Sequence, residues 1–304
     1  MKLEQIAINL FTLRDFCKDN HTFKRTLKKV KEIGYSAVQI SSVGIEDPYK
    51  IRELVEKEGL KICATHESPK KLIEEPNEIV NRLKILACKH TAFPHPGPYP
   101  LNNREECLEL AKKLNNSGKI MYNSGIILSY HNHDIEFVKY DNQSILDIIF
   151  DNTNELYLRG ELDTFWIQKG GDNPVKWCNK LKKRLPLLHM KDYVMTLDRN
   201  INFGEVGRGN LDWNEIVHNA DNSGCEWYIV EQDFCNIDPF ESIKISYDFI
   251  VKNLINKWIN KYVFLDVIKI NNELSRRRAD GVSKTLLIKA WQNQYYLTRQ
   301  AARN

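Results

Sequence analysis

The strongest constraint on the fold is a repeated alternation of short apolar runs with longer stretches that have helical periodicity. In one such stretch Phe23, Leu27, Val30 and Ile33 recur three and four positions apart, as on one face of a helix. The strand-like runs are Ile6–Leu10, Ala37–Ile40, Leu60–Thr65, His90–Phe93, Ile126–His131, Leu156–Asp163, Pro186–Met190 and Trp227–Glu231. A chain that alternates strand and helix in this way builds a parallel sheet covered by helices.

Eight strand–helix repeats over about 255 residues fit a closed (β/α)8 barrel, the TIM barrel. An open doubly wound sheet is the alternative, and it normally carries a glycine-rich phosphate-binding turn after its first strand. Residues 9–14 follow the first strand-like run and contain no glycine. We therefore predict a TIM barrel over residues 1–256 and a C-terminal, helical and basic extension over residues 257–304.

The predicted extension carries the positive charge of the chain. Residues 257–304 contain ten Lys or Arg and three Asp or Glu, a net charge of +7, and because the whole chain carries +4 the first 256 residues are close to −3. A mildly acidic body argues against nucleic acid as a partner. For the extension three alternatives stay open: helices that pack on the barrel, helices that join subunits into a homo-oligomer, or a segment without fixed structure.

Composition favours a cytoplasmic protein. No run of 18 apolar residues exists, so we expect no transmembrane helix. The first strand-like run begins at Ile6, which leaves no room for a signal peptide. The seven cysteines are scattered, odd in number and never in a CxxC spacing, which favours reduced thiols over disulfides or a cysteine zinc site.

Histidine and carboxylate residues gather where the strand-like runs end, most densely in segment 130–137, Tyr-His-Asn-His-Asp-Ile-Glu-Phe. In a TIM barrel the active site lies at these carboxyl ends. The residues concerned are His66, Glu67, His131, His133, Asp134, Glu136, Glu161, Asp163, His189, Asp192, Glu231 and Asp233. Each alone can be a helix cap or a partner of a backbone carbonyl. As a set they predict a site for one divalent ion such as Mn, Co, Zn or Mg.

These segments resemble those of the sugar phosphate isomerase/epimerase superfamily, the xylose isomerase-like TIM barrels. That superfamily includes ketose 3-epimerases, inosose dehydratase and the barrel of endonuclease IV. The matching segments occur in the order of the superfamily and lie within residues 3–256. They are segments 11–15, 38–41, 130–137, 162–166, 189–192, 204–213 and 230–233.

The resemblance implies a divalent ion bound by four groups from strands five to eight. Three of these groups match residue by residue: Asp163, His189 and Glu231. The fourth is a glutamate in the epimerases, and here either His131 takes its position or Glu136 reaches in from the loop. We favour Glu136, because acid–base chemistry calls for two carboxylates. His131 and His133 then hold substrate hydroxyls or orient the ligands.

The implied reaction is proton transfer next to a ketone in a sugar or a cyclic polyol ketone such as an inosose. A divalent ion on the carbonyl and a neighbouring hydroxyl oxygen stabilises the developing enediolate. We expect Glu136 and Glu231 to move the proton, with Lys191 beside the anionic oxygen. For Lys191 the alternative is a solvated charge pair with Asp192.

The remaining candidates are substrate contacts. Residues 193–210 are predicted to form a long glycine-containing loop, from which Arg208 could hold a hydroxyl, carboxylate or phosphate. His66 is expected to face the substrate. Trp166 is expected to stack on it, although the epimerases tend to have a histidine at that position.

Two other activities of the superfamily stay open. A dehydratase or lyase shares the enediolate and then expels a leaving group. An endonuclease IV-like apurinic-site nuclease is the weaker alternative, because it needs three zinc ions and more histidine ligands than this chain offers.

Overall fold

The structure is a computed structural model and describes residues 1–255. Its centre is a closed barrel of eight parallel strands. The barrel strands are β1 (Ile6–Asn9), β2 (Ala37–Ile40), β3 (Lys61–His66), β4 (His90–Phe93), β5 (Ile127–His131), β8 (Arg159–Asp163), β9 (Leu187–Met190) and β12 (Trp227–Val230). They follow one another around the ring in chain order, and β12 closes it by pairing with β1. The predicted TIM barrel is confirmed.

Helices cover the outside of the barrel between consecutive strands. The α-helices are α1 (Asn20–Ile33), α2 (Pro48–Lys57), α3 (Pro69–Glu74), α4 (Pro76–Ile85), α5 (Arg104–Asn123), α6 (Ile145–Asp151), α7 (Thr164–Lys169), α8 (Pro174–Lys180), α9 (Trp213–Asn222) and α10 (Pro239–Phe249). Short 3-10 turns span Leu3–Gln5, Leu10–Phe16 and Ile135–Phe137, and a π-helical turn spans Ile250–Ile255.

Local sequence explains where these helices begin and end. Before α1, the Asp19 carboxylate accepts hydrogen bonds from the backbone N–H groups of His21 and Thr22, which satisfies donors that have no partner inside the helix. The helix ends at Gly34, whose φ of 123° favours glycine. A Cβ at Gly34 would also lie 2.5 Å from the Tyr247 ring, so no larger residue fits there.

Two small antiparallel hairpins lie at the carboxyl end of the barrel. One pairs β6 (Lys139–Tyr140) with β7 (Gln143–Ser144), and the other pairs β10 (Asp192–Met195) with β11 (Ile201–Gly204). The second hairpin corrects the prediction of an irregular loop over residues 193–210. The buried Asp192 carboxylate stabilises it, since it accepts hydrogen bonds from the N–H groups of Gly207 and Gly209 and from the Trp213 indole.

Parallel strands bring their carboxyl ends to one mouth of the barrel, and buried polar side chains collect there. Gln39, Glu161, Asp163 and His189 are each 0% exposed although they come from three different strands. Buried polar groups are costly unless they pair with one another or with a ligand. This end of the barrel is therefore the candidate site.

The expected extension over residues 257–304 lies outside the described residues. Within residues 1–255, no helix combines the length and the apolar content needed to cross a membrane.

Candidate active site

Asp163, His189 and Glu231 converge at the mouth of the barrel. Asp163 ends β8, His189 lies in β9, and Glu231 directly follows β12. Nδ1 of His189 lies 2.5 Å from Oε2 of Glu231 and 3.9 Å from Oδ2 of Asp163. One ligand atom from each of the three lies within 4.8 Å of the other two, and all three residues are buried.

His131, the last residue of β5, flanks this group. Its Nε2 lies 3.9 Å from the same Asp163 oxygen, Oδ2. Oδ1 of Asp163 is used elsewhere, because it caps α7 by accepting a hydrogen bond from the N–H of Trp166. The neighbouring Asn132 holds the Asp163 backbone, accepting from its N–H at 3.0 Å and donating to its carbonyl at 3.4 Å. Oδ2 is thereby left to face the imidazoles.

A fully buried lysine stands on the other side of the group. Nζ of Lys191 lies 2.8 Å from Oδ1 of Asp233, 3.3 Å from Oε1 of Glu231 and 3.5 Å from Oδ2 of Asp163. The Lys191 side chain is 1% exposed, which excludes a solvated charge pair with Asp192. Asn9 adds a hydrogen bond to Oε2 of Glu231 at 3.0 Å.

These neighbours set the protonation of the cluster. Burial alone would raise the pKa of Glu231, but Lys191 and His189 outweigh it and hold that pKa well below its usual range. Burial would lower the pKa of His189, yet the carboxylates of Glu161 and Glu231 raise it to about 10. For Asp163 burial dominates over the opposing charge of Lys191 and raises the pKa to about 7.

The donor set fits a divalent cation. Oδ2 of Asp163 and Nδ1 of His189 are buried without a hydrogen-bond partner, and the second of these faces a carboxylate at 2.5 Å. Such an arrangement is costly unless a proton or a cation lies between the atoms. Mixed imidazole and carboxylate ligands suit Zn, Mn or Co better than Mg, which prefers oxygen ligands throughout.

A pocket of about 410 Å³ gives access to the cluster. Its walls include the expected ligand Glu231 together with His66, His131 and His133, which were expected to contact the substrate. His95, from the proline-rich loop after β4, contributes to the rim. Glu231 and His131 thus border the pocket, whereas Asp163 and His189 are not among the residues that line it.

Glu136 does not join the expected ligands. The 3-10 turn Ile135–Phe137 folds its buried carboxylate back onto β5, where it accepts hydrogen bonds from the Tyr130 hydroxyl at 2.9 Å and the His133 N–H at 2.7 Å. Burial raises its pKa to about 7 against these two hydrogen bonds. Residues 1–255 contain two groups of potential metal ligands, and Glu136 belongs to neither: one is Asp163, His189 and Glu231, and the other is His66, His131, Glu161 and His189. The geometry thus gives Glu136 a part in holding the loop after β5 and leaves His131 nearer to the ligands.

The other expected substrate contacts divide into two sets. The His133 ring lines the pocket and lies 5.2 Å from the Trp166 ring, which is half-buried and 5.0 Å from Nζ of Lys191. Burial, followed by the charge of Lys191, lowers the pKa of His133 to about 4. Neither Trp166 nor Arg208 is among the residues that line the pocket, and Arg208 is exposed in the turn after β11.

Three residues of the site had no individual role in the prediction: Glu161 and Asp233, which belonged only to the strand-end set, and Gln39, which was not predicted. Glu161 precedes Asp163 by two positions on β8, so the alternation of side chains along a strand puts both on one face. That signal was available in the sequence. Gln39 carries no comparable signal, because an amide in a buried strand has no preferred chemistry of its own.

Known proteins resemble this chain in sequence and in fold. A family model described as a xylose isomerase-like TIM barrel matches residues 27–251. The chain is 26% identical to an inosose dehydratase from Clostridium beijerinckii (strain ATCC 51743 / NCIMB 8052), over 74% of this chain and 78% of that protein.

Two solved structures share the fold at lower sequence identity. One is a sugar phosphate isomerase/epimerase from Parabacteroides distasonis ATCC 8503, with a TM-score of 0.70, 21% identity, and coverage of 81% of this chain and 97% of that chain. The other is an L-ribulose 3-epimerase, with a TM-score of 0.64, 15% identity, and coverage of 86% and 97%. At these identities the likeness extends to the fold.

Proposed function

The chain belongs to the xylose isomerase-like TIM barrel family, and we propose that it is a divalent-metal-dependent isomerase or epimerase of a sugar or a cyclic polyol ketone. The observation that carries the proposal is the buried group Asp163, His189 and Glu231 beneath an open pocket. Two buried carboxylates in contact with an imidazole are costly to maintain unless a proton or a cation lies between them.

One divalent ion, from among Mn, Co, Zn and Mg, is proposed to bind Asp163, His189 and Glu231. We propose His131 as the fourth ligand, because its Nε2 faces the unpartnered oxygen of Asp163. Glu136 is not proposed as a ligand, since both of its oxygens accept hydrogen bonds within the β5 loop.

The residues around the group suit proton transfer next to a ketone. A divalent ion held there would draw charge onto a substrate carbonyl oxygen and acidify the neighbouring C–H bond. Glu231 is the proposed base, because its low pKa keeps it ionised and it borders the pocket. Lys191 keeps Glu231 anionic and contributes a fixed positive charge near the carbonyl oxygen.

His133 is the proposed second proton-transfer group, in the role first expected for Glu136. It lines the pocket, and its lowered pKa leaves the imidazole neutral at pH 7. One ring nitrogen would give its proton to the enediolate carbon while the other takes a proton from water, and Glu231 would keep the proton that it removed. The half-buried Trp166 beside it offers an aromatic face for a sugar ring.

A lyase or dehydratase is the second candidate, favoured by the identity to an inosose dehydratase. Both reactions begin when a base removes the proton next to a carbonyl. They differ in the second step: an isomerase or epimerase returns a proton to carbon, whereas a dehydratase releases a hydroxyl group from the adjacent carbon as water.

Two measurements test the proposal. The first is the metal content per chain of protein purified without chelator, for which we expect about one divalent ion. The second is an NMR assay in D2O with Mn- or Co-loaded protein and a panel of ketoses, inososes and keto-glycosides. Deuterium should appear on the carbon next to a carbonyl, with retention of the hydroxyl groups for an isomerase or epimerase and loss of water for a dehydratase.

The matched variants are Glu231→Gln, which should exchange no deuterium, and Glu226→Gln, the same change at the opposite end of the barrel, which should behave as wild type. A protein that takes up no divalent ion would refute the proposal. Close to three zinc ions per chain would instead point to the nuclease alternative.

A further inference from the structure

Glu161 lies behind the proposed ligands, buried and surrounded by donors. Its Oε1 accepts a hydrogen bond from the Gln39 amide at 2.7 Å and lies 3.4 Å from Nε2 of His189. Its Oε2 lies 2.6 Å from Nε2 of His66 and 3.3 Å from Nδ1 of His131. The Glu161 carboxylate thus lies within 3.4 Å of nitrogen atoms from four side chains, and those of Gln39 and His66 form hydrogen bonds with it.

The Gln39 amide fixes which nitrogen of His189 carries a proton. A carboxylate only accepts hydrogen bonds, so the NH2 group of Gln39 must face Glu161, and its Oε1 must face His189. Nε2 of His189 lies 2.8 Å from that oxygen, and a carbonyl oxygen also only accepts. Nε2 therefore keeps its proton, and Nδ1, which faces Glu231 and Asp163, is the nitrogen that would lose its proton and bind the ion.

The same argument applies to His131, with the roles of the two ring nitrogens exchanged. Its Nδ1 lies 3.3 Å from the Glu161 carboxylate, and a proton on Nδ1 is favoured beside that negative charge. The lone pair is then on Nε2, the nitrogen that faces Oδ2 of Asp163. Once His189 has given up its Nδ1 proton, both imidazoles would direct a lone pair to the same side, the side of the proposed ion.

We propose that Glu161, together with Gln39, is a positioning residue that sets the tautomers of His131 and His189 so that both can bind the divalent ion. The inference rests on the proposed metal-dependent function and names the residues that prepare its site. Carboxylates behind histidine ligands typically raise metal affinity 10- to 100-fold by fixing ring orientation and tautomer.

The test compares wild type, Glu161→Gln and the control Glu226→Gln, with Co(II) alone as the probe. Co(II) dissociation constants are measured by competition with a chromophoric chelator, and the visible spectrum of bound Co(II) reports the ligand set. Glu161→Gln should weaken Co(II) binding about 10- to 100-fold and alter the spectrum, because the new amide must turn its NH2 group toward at least one donor. Glu226→Gln should leave both readouts unchanged.

A folded Glu161→Gln protein with the Co(II) affinity and spectrum of wild type would overturn the assignment while leaving the proposed function intact. Wild-type protein that binds no Co(II) would overturn the proposed function itself, so the two failures are distinguishable. If Glu161→Gln does not fold, nitrogen-15 NMR of the zinc-loaded wild type shows which His189 nitrogen binds zinc and which carries the proton. The His189 signals are identified by their absence from the spectrum of His189→Gln. Zinc on Nδ1 and a proton on Nε2 are expected, and the reverse arrangement would overturn the proposal.

Discussion

Replacing Lys191 by methionine tests whether the site is a charge cluster that one buried ammonium holds together. The ammonium lies 2.8 to 3.5 Å from oxygens of Asp163, Glu231 and Asp233 and is 1% exposed. Methionine fills a similar volume without the charge, so the change leaves three neighbouring carboxylates without their shared cation.

Removal of one partner of a buried ion pair costs about 3 to 5 kcal/mol. For a domain of this size that corresponds to a fall in the melting temperature of roughly 6 to 20 °C. This destabilisation should decrease at acidic pH. The pKa of Asp163 is raised to about 7 and that of Asp233 is also raised, so protonation of these carboxyl groups relieves their repulsion. We therefore expect Lys191→Met to lose more stability at pH 8 than at pH 5.5.

Lys180→Met is the matched control. Lys180 also contacts two carboxylates, those of Asp147 and Asp151, but its side chain is 32% exposed. Surface pairs of this kind contribute about 0 to 1 kcal/mol. The assay is thermal unfolding of metal-free protein at both pH values, followed by addition of Mn(II), which should restore part of the lost stability in Lys191→Met. A melting temperature within about 2 °C of Lys180→Met would refute the charge-cluster reasoning.

Three further outcomes follow from the geometry. Glu231→Gln should abolish turnover while circular dichroism stays that of wild type; measurable activity would remove Glu231 as the base. Glu136→Gln should lower the melting temperature, because two buried hydrogen bonds weaken, yet bind the same amount of metal by mass spectrometry; lost metal would return Glu136 to the ligands. Apparent Mn(II) affinity, measured by calorimetry, should rise between pH 6 and pH 8, because the ion must displace the protons on Asp163 and His189; a flat profile would contradict those pKa values.

The fold was largely predictable from the sequence. Seven of the eight predicted runs agree with the barrel strands to within one residue at either end. The exception is the run predicted from Leu156, since the strand begins only at Arg159. There the Asn154 side chain accepts a hydrogen bond from the Leu156 N–H and forms a turn, which apolar periodicity does not reveal.

The sequence predicts which side chains meet at the site only where their position along a strand determines the direction in which they point. Asp163, His189 and Glu231 lie in β8, in β9 and directly after β12, and their convergence follows from the parallel barrel. Glu136 lies in a loop, where a single 3-10 turn determines whether its carboxylate faces the ion or the Tyr130 hydroxyl. The argument that acid–base chemistry calls for a second carboxylate does not distinguish between those two conformations.

The histidine at the end of β5 bears on the reaction itself. With His131 in place of a carboxylate, the proposed ligands carry two negative charges, which balance a divalent ion and leave it a stronger acceptor of electrons than three carboxylates would. The presence of His131 instead of a carboxylate also removes a proton acceptor, because an imidazole bound to the ion has no free lone pair. Epimerisation requires groups on both faces of the substrate, whereas elimination needs one base and one donor to the leaving group. If His133 proves inert to substitution, Glu231 alone moves the proton, and the balance shifts from an epimerase to a lyase.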